Sequence, residues 1–241
     1  MTDADAAPGG RIRPTETKRL DAFVDAAFAF AVSLLIIAGG QPPANFDELM
    51  IALGRIPSFA MGFGLIVMFW LGHRQFGRLA PQRDGTSVVL SLAIVFMALI
   101  YVFPLRMLTD AAAHFLSGGL LPGRGIIGDF ADLAGVYTVY GIGFAILGVL
   151  YWLLYRHAAR HTERLGVATD DLDDIESWGG TWAIIALSGV VSAVIAQVFP
   201  LHLFPGLPGF CYWLIPLGIF IQGRLRRGRA RRLPVGTSQE A

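Results

Sequence analysis

The residues with chemistry to offer are few and sit close together. The stretch "RLDAFVDAAFAFAVSLLII" (19–37) carries Arg19, Asp21 and Asp25, and Asp25 has apolar neighbours on both sides. A second apolar run holds "FWLGHRQF" (69–76), with Trp70 and His73. A carboxylate facing an imidazole or an indole N–H is a clasp between two helices. With histidine as the partner it is also a candidate pH-sensitive contact, because imidazole titrates near neutral pH. The sequence therefore predicts a meeting of Asp25 with His73, with the Trp70 indole as a neighbouring donor.

The elements that position these groups are membrane helices. Of 241 residues, 54% are hydrophobic and 15% charged, and the mean hydropathy is +0.58. Soluble domains carry about 25% charge. Six apolar segments, near 20–38, 50–72, 86–108, 132–156, 181–200 and 207–223, each approach the roughly 20 residues a spanning helix needs. The prediction is an all-α integral membrane protein with six transmembrane helices. Residues 1–18 read as a flexible leader, 19–223 as the membrane domain and 224–241 as a basic tail. The proline-dense "FPLHLFPGLPGF" (199–210) marks a bent or re-entrant connection.

Orientation follows from the basic residues. With a cytoplasmic N-terminus, 16 of the 19 Lys and Arg residues fall in inside segments. Arg55, Arg106 and Arg124 form the outside set. The positive-inside rule then places both termini in the cytoplasm. The tail "GRLRRGRARR" (223–232) reads as an anchor beside anionic lipid rather than a nucleic-acid site. A cleavable signal peptide fits poorly, because Asp25 interrupts the apolar core and cleavage would leave an odd number of spans.

Catalytic chemistry finds little support. GxxxxGK, HExxH and paired CxxC are absent, and the single Cys211 forms no disulfide framework. His157 and His161 in "HAARH" have metal-ligand spacing, but their arginine neighbours read as a cationic interfacial face. The acidic run "DDLDDIE" (170–176) reads as a solvated helix start. No enzyme, cofactor or metal site is expected.

A helical wheel divides the first span. Phe23, Ala27, Phe30, Leu34 and Ile37 form one stripe with Ser33 beside it, and Asp25 lies about 140° from Phe30. Such a stripe is either a packing or lipid seam, or a pore wall with an apolar constriction. Periodicity does not separate the two.

"RLDAFVD" resembles the RxxxFSD signature opening the first helix of the transmembrane protein 175 family of potassium channels. "WLGHRQF" (70–76) is similar to that family's WxxHxxF pattern, and "YVFPL" (101–105) to its Phe-Pro ending of the third helix. The resemblance implies a six-helix, bacterial-type subunit in the inner membrane. It implies a homotetramer passing potassium through a central pore lined by the first helices. Carried over by position, the constriction falls at Phe30, a hydroxyl linked to potassium preference at Ser33, and further apolar layers at Leu34 and Ile37. Arg19, Phe23, Asp25, Trp70 and His73 become the network holding the pore helix. Val24 stands where the signature has serine, and Phe30 where the family commonly has Ile or Leu. Two other classes remain beside the channel: a proton-coupled transporter using Asp25 and His73 as relays, and a non-conducting scaffold or sensor.

Overall fold

The computed structural model describes residues 12–122 and 129–230, with side chains to residue 224. The described residues are helical, with no strand. In chain order the helices are α1 (Pro14–Ile37), α2 (Phe46–Gly54), α3 (Ile56–Leu79), α4 (Gly85–Leu116), α5 (Phe130–Arg160), the short α6 (Thr162–Leu165), α7 (Leu172–Val198), the short α8 (Leu207–Phe210) and α9 (Leu214–Ala230). Five are long and apolar enough to cross a membrane: α1, α3, α4, α5 and α7 with its preceding 3-10 turn.

The structure moves several predicted boundaries. Helix α1 begins inside the expected leader because Pro14 occupies its first turn and the Glu16 carboxylate accepts the Arg13 N–H at 3.4 Å. The predicted second span divides into α2 and α3 at Arg55, where Pro57 starts the longer helix. The predicted third span, 86–108, is extended to Leu116, with Pro104 inside it. Pro104 removes one helical hydrogen bond, yet the next turns bury Leu105, Arg106, Leu108, Thr109 and Asp110. The acidic run forms a 3-10 turn and the start of α7. The predicted sixth span is α8, a 3-10 turn (Cys211–Trp213) and α9, and is not among the five spanning helices. Leader residues 1–11 and tail residues 231–241 lie outside the described residues, as does Arg124.

Helices α5 and α7 make the most extensive pairing in the bundle. Glycine permits it by letting backbones meet. A Cβ on Gly189 would stand 2.6 Å from the Gly141 carbonyl oxygen, and one on Gly148 would stand 2.7 Å from the Ala186 nitrogen. Between apolar helices in lipid, such close approach is the main source of association. Beside this seam the Tyr151 and Trp182 rings stack at 4.0 Å, with Phe69 stacked on Trp182 at 5.9 Å. Tyr155 Oη donates to the Gly72 carbonyl at 2.9 Å, and Tyr151 Oη donates to the Phe69 carbonyl. These bonds fasten α3 to the α5–α7 pair and give buried hydroxyls their partners.

Replacing Gly189 with valine should force α5 and α7 apart and destabilise the fold by about 1–3 kcal/mol, the usual effect of overpacking. Thermal unfolding in detergent checks this; an unchanged midpoint would show that the seam has room.

Candidate functional site

Helix α1 shows two faces. Val24, Phe28, Ala31 and Leu35 recur at 4, 3 and 4 residues and are buried against the bundle. Val24, which replaces the signature serine, is thus a packing residue with no exposure. The other face is left open: Phe23 and Phe30 are each 54% exposed and Ile37 is 66% exposed. Ser33 is also exposed, and its hydroxyl donates back to the Ala29 carbonyl at 3.3 Å. Leu34 is half-buried at the edge between the faces. The predicted stripe therefore lies off the protomer's core. A cavity of about 710 Å³ lies among α3, α4, α5 and the α8 region, and no α1 residue lines it.

The predicted supporting residues pair differently from the expectation. The Trp70 indole Nε1–H donates to Asp25 Oδ1 at 2.8 Å. His73 Nε2 shares a 3.0 Å hydrogen bond with the Ser91 hydroxyl of α4, and both residues are buried. The expected Asp25–His73 pair is not formed. Trp70 and His73 are three residues apart, so they leave α3 about 60° apart. One turns to α1 and the other into the α3–α4 contact. The Arg74 guanidinium lies over the outer face of Trp70, 5.4 Å from the ring centre. Arg19 is exposed.

The strongest polar cluster near α1 was not singled out from the sequence. It lies in the α3–α4 connection. Arg83 is fully buried and pairs with Asp21 of α1 at 2.9 Å. Its guanidinium also donates to the Ala80 carbonyl and stacks over Phe76 at 4.9 Å. Burial pushes the guanidinium pKa down, and Asp21 opposes that shift. The neighbouring Asp84 caps α4, accepting the Ser87 N–H at 2.9 Å, and meets His157 Nε2 at 2.8 Å. Burial pushes the Asp84 carboxyl up, but the Ser87 amide and His157 outweigh it and hold it below its ordinary 3.8. His157 is therefore engaged by a carboxylate, while His161 Nδ1 approaches the His157 carbonyl at 3.1 Å. Among the described residues no group of three or more His, Cys, Asp or Glu could hold a metal. A sequence signal for Asp84 existed: "DGTS" (84–87) is an N-cap pattern at a span boundary.

This arrangement defines a multi-span helical membrane protein whose first helix is pinned from behind and open in front. Over part of its length it is similar to a known family: the model described as "Endosomal/lysosomal potassium channel TMEM175" matches residues 19–104. The match covers the first two motifs on which the resemblance rests and the Phe-Pro of the third. A curated relative from Marivirga tractuosa, named "Potassium channel", is 27% identical over 240 residues, covering 94% of each chain. Among solved structures, a variant of the potassium channel MtTMEM175, crystallised with a nanobody fusion, superposes with a TM-score of 0.73. It is 22% identical and covers 95% of this chain and 99% of its own. A TMEM175 homologue from Chamaesiphon minutus, described as a lysosomal potassium-selective channel, gives a TM-score of 0.52 at 19% identity. That match covers 86% of this chain and 98% of the other. These two likenesses show the fold.

Trp70→Phe keeps the ring but removes the donor to Asp25. It should lower stability by about 1–2 kcal/mol, the lower part of the range for a bond to a charged group, because Asp25 is exposed. A double-mutant cycle with Asp25→Ala, which removes the acceptor, reads the coupling directly, and additive effects would rule the contact out.

A second expectation concerns acid. Because the folded state lowers the Asp84 pKa, its contribution is present above 3.8 and fades as pH falls through the folded value. Asp84→Asn should therefore be less stable than wild type at pH 7, and the gap should close as the pH drops below about 4. Unfolding midpoints across that range provide the measurement.

Proposed function

We propose that this protein is a subunit of a potassium-permeable channel, assembled as a homotetramer in the cell inner membrane with α1 lining the central pore. The observation that carries this reading is the division of α1. Its packing stripe and Asp25 are engaged by the bundle, while Phe30, Ser33 and Ile37 face away from it. The relative from Marivirga tractuosa and the MtTMEM175 structure, both named as potassium channels, support the same activity.

In this reading Phe30 forms the constriction, Ser33 supplies the nearest side-chain oxygen, and Leu34 and Ile37 form the apolar layers beyond. Arg19, Phe23, Asp25, Trp70 and His73 support the helix, Asp25 through Trp70 and His73 through Ser91. Ion passage is passive. An apolar neck of four phenyl rings controls flow by its width and its wetting, and potassium is the permeant ion rather than a bound cofactor. The α8–α9 run supplies the sixth crossing, which returns the C-terminus to the cytoplasmic side. Three arginines stacked on aromatic rings support this placement: Arg74 on Trp70, Arg156 on Trp152 and Arg224 on Phe220. Each pair is of the kind found where a helix leaves the bilayer.

The proton-coupled carrier is less well supported, because His73 is buried and bonded to Ser91 instead of forming a relay with Asp25. The scaffold reading keeps one argument, the bulk of Phe30, and the following experiment decides it. Potassium flux into liposomes should rise about tenfold in Phe30→Ala, the effect of lowering a barrier by about 1.4 kcal/mol. Ser33→Ala should reduce the preference for potassium over sodium. Flux that ignores both substitutions would overturn the pore assignment, and strict dependence on a proton gradient would favour the carrier.

A further inference from the structure

The C-terminal end of α1 meets a second polar cluster, which the pore stripe does not explain. Arg55, between α2 and α3, donates from Nη1 to the Gly39 carbonyl at 3.3 Å. The Ser58 hydroxyl lies 2.9 Å from the Arg55 carbonyl and also bonds Asp110 Oδ1. Asp110 in turn pairs with Arg106 at 3.1 Å, the two side chains being 1% and 5% exposed. A Cβ on Gly39 would stand 2.7 Å from the Ile36 carbonyl oxygen and 3.7 Å from Arg106 Nη2. Two guanidiniums thus converge on the chain just beyond Ile37, the last residue of the exposed stripe.

Their electrostatic situations differ. Arg106 is matched by Asp110. Arg55 is half-buried and has no carboxylate within ion-pair distance among the described residues. Its charge is held against a backbone carbonyl of the pore helix, where a tetramer would repeat it four times around the mouth. The acidic Asp47 and Glu48 open α2, about 10–12 Å away along that helix. They attract cations equally in wild type and in an Arg55 variant, so comparing the two isolates the arginine.

We infer that Arg55 sets the rate at which cations enter the pore from the α1 C-terminal mouth. The inference rests on the channel reading above. A fixed positive charge beside a narrow mouth lowers the local cation concentration, so entry from that side is slowed and the current rectifies. The effect depends on screening: the Debye length is about 30 Å at 0.01 M salt and about 3 Å at 1 M.

Single-channel recording of the full chain in planar bilayers tests this, since each channel holds one orientation and shows both current directions. At 10 mM KCl, Arg55→Gln should raise the current in one direction by about twofold or more, the effect of one unit charge ~10 Å from the ion path in water being about twofold. Arg55→Lys, which keeps the charge, should match wild type. At 1 M KCl all three should coincide. Ile56 is 54% exposed at the start of α3, so Ile56→Glu adds a compensating charge and leaves the Arg55–Gly39 bond in place. It should reproduce the glutamine result, and it decides the matter if Arg55→Gln does not assemble. Equal low-salt currents, a change that persists at 1 M, or a lysine variant that behaves like glutamine would each overturn the inference. Those outcomes leave a conducting wild type. A silent wild type would instead remove the channel reading on which the inference stands.

Discussion

The buried guanidinium of Arg83 is the constraint around which the N-terminal half is arranged. A charge with no exposure must be neutralised, and leaving such a group unpaired costs several kcal/mol. Asp21 does this from α1, and Phe76 covers the guanidinium from α3. The surrounding backbone is also committed: the Arg83 carbonyl accepts the Ile12 N–H, and the Gln82 N–H donates to the Leu165 carbonyl, both at 3.0 Å. One residue later, Asp84 caps α4 and takes His157 from α5. A connection of a few residues therefore joins α1, α3, α4, α5 and α6. Its polar groups lie at the end of the spans, where their desolvation is least severe.

That junction explains how α1 can present so little to its own bundle. Of its apolar residues only Val24, Phe28, Ala31 and Leu35 pack fully, a narrow stripe for a helix that must keep its rotation. Rotation about the helix axis would change which side chains face outward. Asp21 bound to Arg83 and Asp25 bound to Trp70 resist it from one end, and Arg55 on Gly39 resists it from the other. An apolar stripe has no directional chemistry of its own, so directional bonds elsewhere on the helix must aim it.

The sequence made the class and the division of α1 legible, for a clear reason. Apolar spans and helical periodicity are properties of one segment, so Asp25 could be separated from Phe30 by angle alone. Partners are properties of two segments. Trp70 and His73 were both plausible mates for Asp25, and only the rotation of α3 against α1 chose the indole. Arg83 and Arg106 were read as topology charges because a basic residue at a span end usually faces water. Their burial depends on Asp21 and Asp110, one far along the chain and the other on a helix expected to have ended. The predicted span already ran through Pro104 to 108, and the extension lies in the less apolar turns beyond it, up to Leu116. The predicted sixth span begins in a proline-rich approach, and the structure breaks it into α8, a 3-10 turn and α9, which is not among the five helices long and apolar enough to span.

The replacements at positions 24 and 30 carry different weight. Valine for serine falls on the buried stripe, where a hydroxyl would need a partner and a second methyl group needs only neighbours. It exchanges one form of internal fastening for another and leaves the outward face unchanged. Phenylalanine falls on the outward face, where its ring meets no core and its position is set only by the rotation of α1. A ring is wider and stiffer than a branched aliphatic chain, so a small turn of α1 moves its edge farther. The bonds that hold α1 in rotation therefore matter more here than they would with a smaller side chain at position 30. In this protein the polar anchors at the two ends of α1 and the aromatic ring between them form one mechanical unit.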